Sequence, residues 1–120
     1  MKRSLSLLPL LLLLASCAAI APGSDPVLVN AERTTAVAID AVDTYLQWEF
    51  DNRETLSAIP EIRETADYLR RNAPTWFETA REITKSYKVN RTEYNRANLN
   101  TAMNVLNRAI IQAQRYLPKK

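Results

Sequence analysis

Apolar positions along this chain fall into one dense run and three periodic stretches. The run comprises Leu5, Leu7, Leu8 and residues 10–14, all leucine. In the first periodic stretch Val27, Ala31, Thr34, Ala38, Ala41, Tyr45 and Trp48 recur at steps of three and four, and Thr35, Ile39, Val42 and Leu46 widen the stripe. Asp40, Asp43, Gln47, Asp51 and Glu54 fall on the other side, so the spacing predicts an amphipathic helix from about Pro26 to Ser57. Asp25 is suited to accept from the exposed backbone donors of its first turn, where Pro26 loses nothing by lacking an N–H. The second stripe, Ile59, Ile62, Ala66, Leu69, Ala73, Trp76, Ala80, Ile83 and Tyr87, is the most regular. It predicts a helix starting near Ser57, with Pro60 in the first turn and Glu61 near the positive end of the dipole. Pro74 removes one backbone hydrogen bond and opposes the carbonyl of Arg70, but the stripe keeps its phase across it, which favours a kink over a break. Asn90-Arg91-Thr92-Glu93 has the form of a capping box. A third helix should follow it to Leu117, buried through Tyr94, Leu99, Ala102, Met103, Val105, Leu106, Ala109, Ile110, Ala113 and Tyr116 and stopped by Pro118.

The fold class is therefore all-α. Three helices of about 27 to 32 residues joined by short turns give an up-down-up antiparallel three-helix bundle roughly 40 Å long. Counting from the turns sets Ile39 near Trp76 or Phe77, Trp48 near Tyr68, Ala80 near Leu99, Trp76 near Met103 and Leu69 near Ile110. Large residues alternate with alanines in the second stripe, which lets a neighbouring helix approach closely. The alternative is a long helical hairpin that completes its core by oligomerising, for which exposure of Phe50 and Phe77 would speak.

The apolar run follows Met1-Lys2-Arg3 and ends Leu14-Ala15-Ser16-Cys17. A positive start, an apolar middle and a small-residue cleavage site make an export signal too short for a membrane span of about 20 residues. With the cysteine directly after the small residues, this end resembles the lipobox of bacterial lipoproteins. The resemblance covers residues 1–17 and implies acylation of Cys17, cleavage after Ser16 and membrane attachment through the lipid. Several acyl chains on one residue hold firmly where one chain binds marginally. Ala18 and Ala19 follow in place of the aspartate that usually signals retention, so the resemblance points to the outer membrane, facing the periplasm. The chain then divides into a cleaved signal peptide (1–16), a lipidated N-terminus and flexible tether (17–24) containing Ala21-Pro22-Gly23-Ser24, and a helical domain (25–120).

Residues 17–120 contain no histidine, no further cysteine and only Gly23. Metal sites built on His and Cys, nucleophilic catalysis through either, and glycine-rich phosphate loops are thereby excluded, and no cofactor or catalytic residue is expected. Carboxylate pairs such as Asp40 and Asp43, or Glu61 and Glu64, read as a solvated face. Residues 17–57 carry seven acidic against two basic residues, and residues 90–120 six basic against one acidic. The two regions attract each other when packed side by side.

Two surface groups remain. Arg81, Lys85, Lys88, Arg91 and Arg96 gather around the turn between the second and third helices, against Glu82 and Glu93. If the first helix leaves the membrane and the second returns, this turn meets the bilayer, where each basic residue contributes about 1 kcal/mol of attraction to anionic headgroups. Export and the lack of an aromatic platform argue against nucleic acid as the partner. Asn100, Asn104 and Asn107 read as a solvated face or, alternatively, as a hydrogen-bonding surface for an envelope protein. In size and plan the chain is similar to small anchored helical lipoproteins of bacteria and their phages, which implies a non-enzymatic interaction or scaffold module. The alternative rests on Lys120: the murein lipoprotein, likewise lipidated and helical, ends in a lysine joined to peptidoglycan. That resemblance implies a structural link to the cell wall, although Pro118 and three helices depart from its single long helix.

Overall fold

Asp25 begins the first helix as its chemistry dictates: its backbone is extended and its Oδ1 accepts from the N–H of Val27 at 2.9 Å, with Pro26 in the first turn. The computed structural model describes residues 24–119; the signal peptide, Cys17, the tether up to Gly23, and Lys120 lie outside the described residues. Among the described residues the protein is all-helical, with four helices and no strand: α1 (Pro26–Asp51), α2 (Arg53–Leu56), α3 (Pro60–Val89) and α4 (Glu93–Arg115).

The boundaries differ from the sequence expectation where side chains compete for backbone groups. The first helix does not continue to Ser57. Asn52 ends it by sending both its backbone N–H and its side-chain amide to the carbonyl of Trp48, and α2 follows as a single separate turn. α3 starts at Pro60 after Ile59, which offers no side-chain cap. The capping box does not form. Asn90 instead closes α3, and Thr92 caps α4 by accepting from the N–H of Asn95, whose own amide reaches back to the carbonyl of Asn90. α4 stops at Arg115, short of Leu117. α3 runs through Pro74 without a break.

Each long helix packs on the other two. The start of α1 meets the end of α3 and the start of α4 through Ala31, Tyr87 and Leu99. Ala38, Ala80 and Leu106 fill the middle, with Trp76, Phe77, Met103 and Ile110 packed around them. The largest cluster holds Ala41, Val42 and Tyr45 against Ile62, Ala66, Leu69, Ala73, Ala109 and Ala113. Nine of the sixteen buried apolar residues are alanines, so the helix backbones lie close and the seam depends on shape more than on large side chains.

Of the pairings counted from the turns, Leu69 shares a cluster with Ile110 and Trp76 with Met103. Ala80 packs with Leu106 while Leu99 packs with Tyr87, each partner about two helical turns from the expected one. Trp48 pairs with Tyr45, and Tyr68 with Trp76 edge-on, each on its own helix. Phe77 is half-buried in the core; Phe50 is exposed under the guanidinium of Arg53.

Candidate functional site

Two groups of polar side chains close α1 onto α3, one near each end of α1. At its start, Asp25 Oδ2 accepts from the Tyr87 hydroxyl and from Arg91 Nε, both at 2.8 Å, while Arg91 also donates to the carbonyl of Lys88 and covers the Tyr87 ring. The Arg91 bond, then the Tyr87 bond, hold the Asp25 carboxyl down at about 2. The Tyr87 hydroxyl is in turn raised by its bond to that carboxylate. Asp25 therefore does more than cap: it fixes the start of α1 against the turn between α3 and α4.

Around that turn Arg81, Lys85, Lys88 and Arg96 are exposed, and none of them forms an ion pair among the described residues. Of the five basic residues singled out in the sequence, only Arg91 is engaged, through Asp25. Val89 and Tyr94 flank the turn and are also exposed.

At the other end Glu49 is fully buried. Its Oε1 accepts from Arg53 and Arg70 at 2.9 Å each, and its Oε2 accepts from Arg53 Nε at 3.0 Å. Arg70 also holds Asp67 at 3.0 Å. The Arg53 bonds outweigh the cost of burial and, with Arg70, keep the Glu49 carboxyl ionised down to about 2. A cavity of about 380 Å³ opens beside it, lined by Leu56, Ile59, Pro60 and Arg63 among others. A carboxylate held ionised by two guanidinium groups lacks the raised pKa of a general acid, and three hydrogen bonds occupy most of its acceptor capacity. Next to it the Tyr45 hydroxyl donates to the carbonyl of Ile62, and burial foremost pushes its pKa up to about 12.

Asn100, Asn104 and Asn107 are exposed along one face of α4, and Ile111, one turn on from Asn107, is an exposed apolar residue on the same face. No family, curated protein or solved structure matches this chain in comparisons with each. Among the described residues no group of His, Cys, Asp and Glu side chains is arranged to hold a metal, and no helix is long and apolar enough to cross a membrane.

Sequence reasoning missed Glu49, the second and third bonds of Asp25, and the exposed pair Val89 and Tyr94. A signal for Glu49 was present. Ala31, Thr35, Ala38, Val42, Tyr45 and Glu49 form an unbroken four-three-four alternation, and the stripe was carried instead to Trp48 because tryptophan is apolar.

Proposed function

We propose that this chain is a lipid-anchored, non-enzymatic helical interaction or scaffold protein of the bacterial envelope. Its three long helices act as an up-down-up antiparallel bundle held at the membrane through Cys17, on the periplasmic side of the outer membrane. The supporting observation is the 2.8 Å pair between Asp25 and Arg91. It brings the end of the tether to the cationic turn, so lipid attachment and positive charge coincide at one end of the domain. The Asn100, Asn104 and Asn107 face, continued by Ile111, is then turned sideways to meet another envelope protein.

Labelled palmitate fed to expressing cells tests the anchor. Label on the wild-type chain and none on Cys17→Ser is the expected result; an unlabelled wild-type chain, or release from membranes by a salt wash, overturns it. The partner face is tested by a photo-crosslinking residue at Asn104, which should capture one defined envelope protein, whereas the same residue at the exposed Asp40 should not. Equal capture from both positions would remove the face.

A further inference from the structure

The turn joining α3 to α4 carries more than charge. Val89 ends α3 at 88 % exposure and Tyr94 stands in the first turn of α4 at 75 %, the two most exposed large apolar side chains among the described residues. Neither contributes to any of the three core clusters. Exposed Lys85, Lys88 and Arg96 lie within a turn or so along the chain on either side, against one exposed carboxylate, Glu93, beside Tyr94, and Arg91 between them is held by Asp25. A short-chain aliphatic residue and a tyrosine at a tip where exposed cations outnumber carboxylates match a bilayer interface. Valine enters the acyl boundary, tyrosine sits with its ring at headgroup depth, and the lysine and arginine stems reach anionic phosphates.

Distance agrees with chemistry. Seven residues, 18–24, separate Cys17 from Asp25, and the chain between them spans at most about 28 Å when fully extended. The Asp25 carboxylate contacts Tyr87 and Arg91 directly, so the same tether that ends at Asp25 ends beside the tip.

We propose that the α3–α4 turn is a membrane-docking tip, in which Val89 and Tyr94 insert at the surface of an anionic bilayer while Lys85, Lys88 and Arg96 bind its phosphates. The domain then stands on the membrane with α2 and the Glu49 cluster at its far end, instead of swinging freely on its tether. This inference rests on the lipid-anchored reading and adds the orientation of the domain.

The test uses the full lipidated protein, with its acylation verified by mass, reconstituted into vesicles of phosphatidylethanolamine and phosphatidylglycerol. Acylation blocks the Cys17 thiol, so a fluorophore can be placed on Val89→Cys, on Tyr94→Cys, or on Ser57→Cys at the opposite end. All three sites are exposed, and the substitutions leave the core intact. A nitroxide carried on the lipid headgroup should quench the labels at 89 and 94 several-fold more than the label at 57. Reversing Lys85, Lys88 and Arg96 to glutamate should erase that difference with the palmitate still attached. Equal quenching at all three sites on an acylated chain overturns docking and leaves the anchor standing. So does shielding of positions 89 and 94 from aqueous iodide without lipid quenching, which would place a protein on the tip. A chain without acyl groups overturns the anchor and docking together.

Discussion

Arg70 reaches across from α3 to Glu49 on α1 at 2.9 Å, joining residues 21 positions apart just above the turn that connects the two helices. The carboxylate is buried, whereas the two guanidinium groups are each about one-third exposed, 34 % for Arg53 and 33 % for Arg70. The arginines keep access to water and Glu49 does not. Removing a cation therefore costs more than removing the anion. Arg70→Ala should destabilise the domain by about 1–3 kcal/mol in urea unfolding, because Arg53 still holds the carboxylate. The double variant lacking both guanidinium groups should lose more. Glu49→Met, which fills the same space without a charge, should be neutral or stabilising. A larger loss from Glu49→Met than from Arg70→Ala would contradict this account.

Acid should loosen both ends of α1. Glu49 is shifted down from 4.5 to about 2 and Asp25 from 3.8 to about 2. For a carboxylate with a depressed pKa in the folded state, the stabilisation is complete above its unfolded pKa and disappears as pH falls toward the folded value. Stability should therefore decline from about pH 4.5 to about pH 2. Glu49→Gln should flatten that decline, measured as the thermal midpoint across the range, and an unchanged slope would show that other carboxyl groups control it.

Alkali acts on the opposite sign. The Tyr45 hydroxyl is raised from 10.0 to about 12, mainly because ionisation would place a charge in the core. Its contribution is full below pH 10 and is lost as pH rises toward 12. Tyr87 is raised as well, so absorbance of tyrosinate at high pH should show one fewer late-titrating group in Tyr45→Phe than in the wild type.

The alanine seam sets a size limit. Ala66 and Ala109 are both fully buried in the largest cluster. Ala66→Leu or Ala109→Leu should cost about 1–3 kcal/mol through overpacking. Leu106→Ala should cost about 2–5 kcal/mol, because it leaves a hole where backbones already lie close and cannot collapse further. Denaturant midpoints decide both, and a stabilising Ala66→Leu would mean that the helices are further apart there than the burial implies.

Cutting the Asp25 bonds should act locally. Tyr87→Phe removes one of the two long-range donors to Asp25, so amide exchange in the first turn of α1 should speed up while the amides around Ala41 and Tyr45 keep their protection. Uniform acceleration along α1 would show that the contact holds the whole helix.

The long helices were legible because three-and-four spacing needs only a burial stripe to be seen, and Ile62, Ala66, Leu69, Ala73 and Ala80 lie on theirs as predicted. Boundaries were less so. Asn52 resembles an ordinary polar helix residue in a pattern and Asn90 a cap for the helix after it, yet each closes the helix before it by donating to the carbonyl four residues back. Glu49 was hidden for another reason: binary patterning assigns a glutamate to the surface, and its burial is compensated by Arg53 one turn on together with Arg70 arriving from another helix. The basic turn was readable as charge. That Asp25 takes Arg91 from it, and that Val89 and Tyr94 stand exposed beside it, depends on which ends of the helices meet.

α1 and α3 are clamped by charge near both ends, but among the described residues no ion pair reaches α4, and its polar links to α3 are confined to Asn95 in the first turn. Beyond that turn α4 is seated by apolar packing, with Leu99, Ala102, Leu106, Ala109 and Ala113 buried and Met103 and Ile110 packed beside them. Sliding it by one heptad would carry Leu106 into the berth of Leu99 and Ala109 into that of Ala102. The first misfit would be Ala113 in the space of Leu106. Leu106, with Tyr116 that would fall on Ala109, thus tells the correct frame from its nearest impostor, and the short Asn90–Thr92 connection is what keeps the chain from sampling the other.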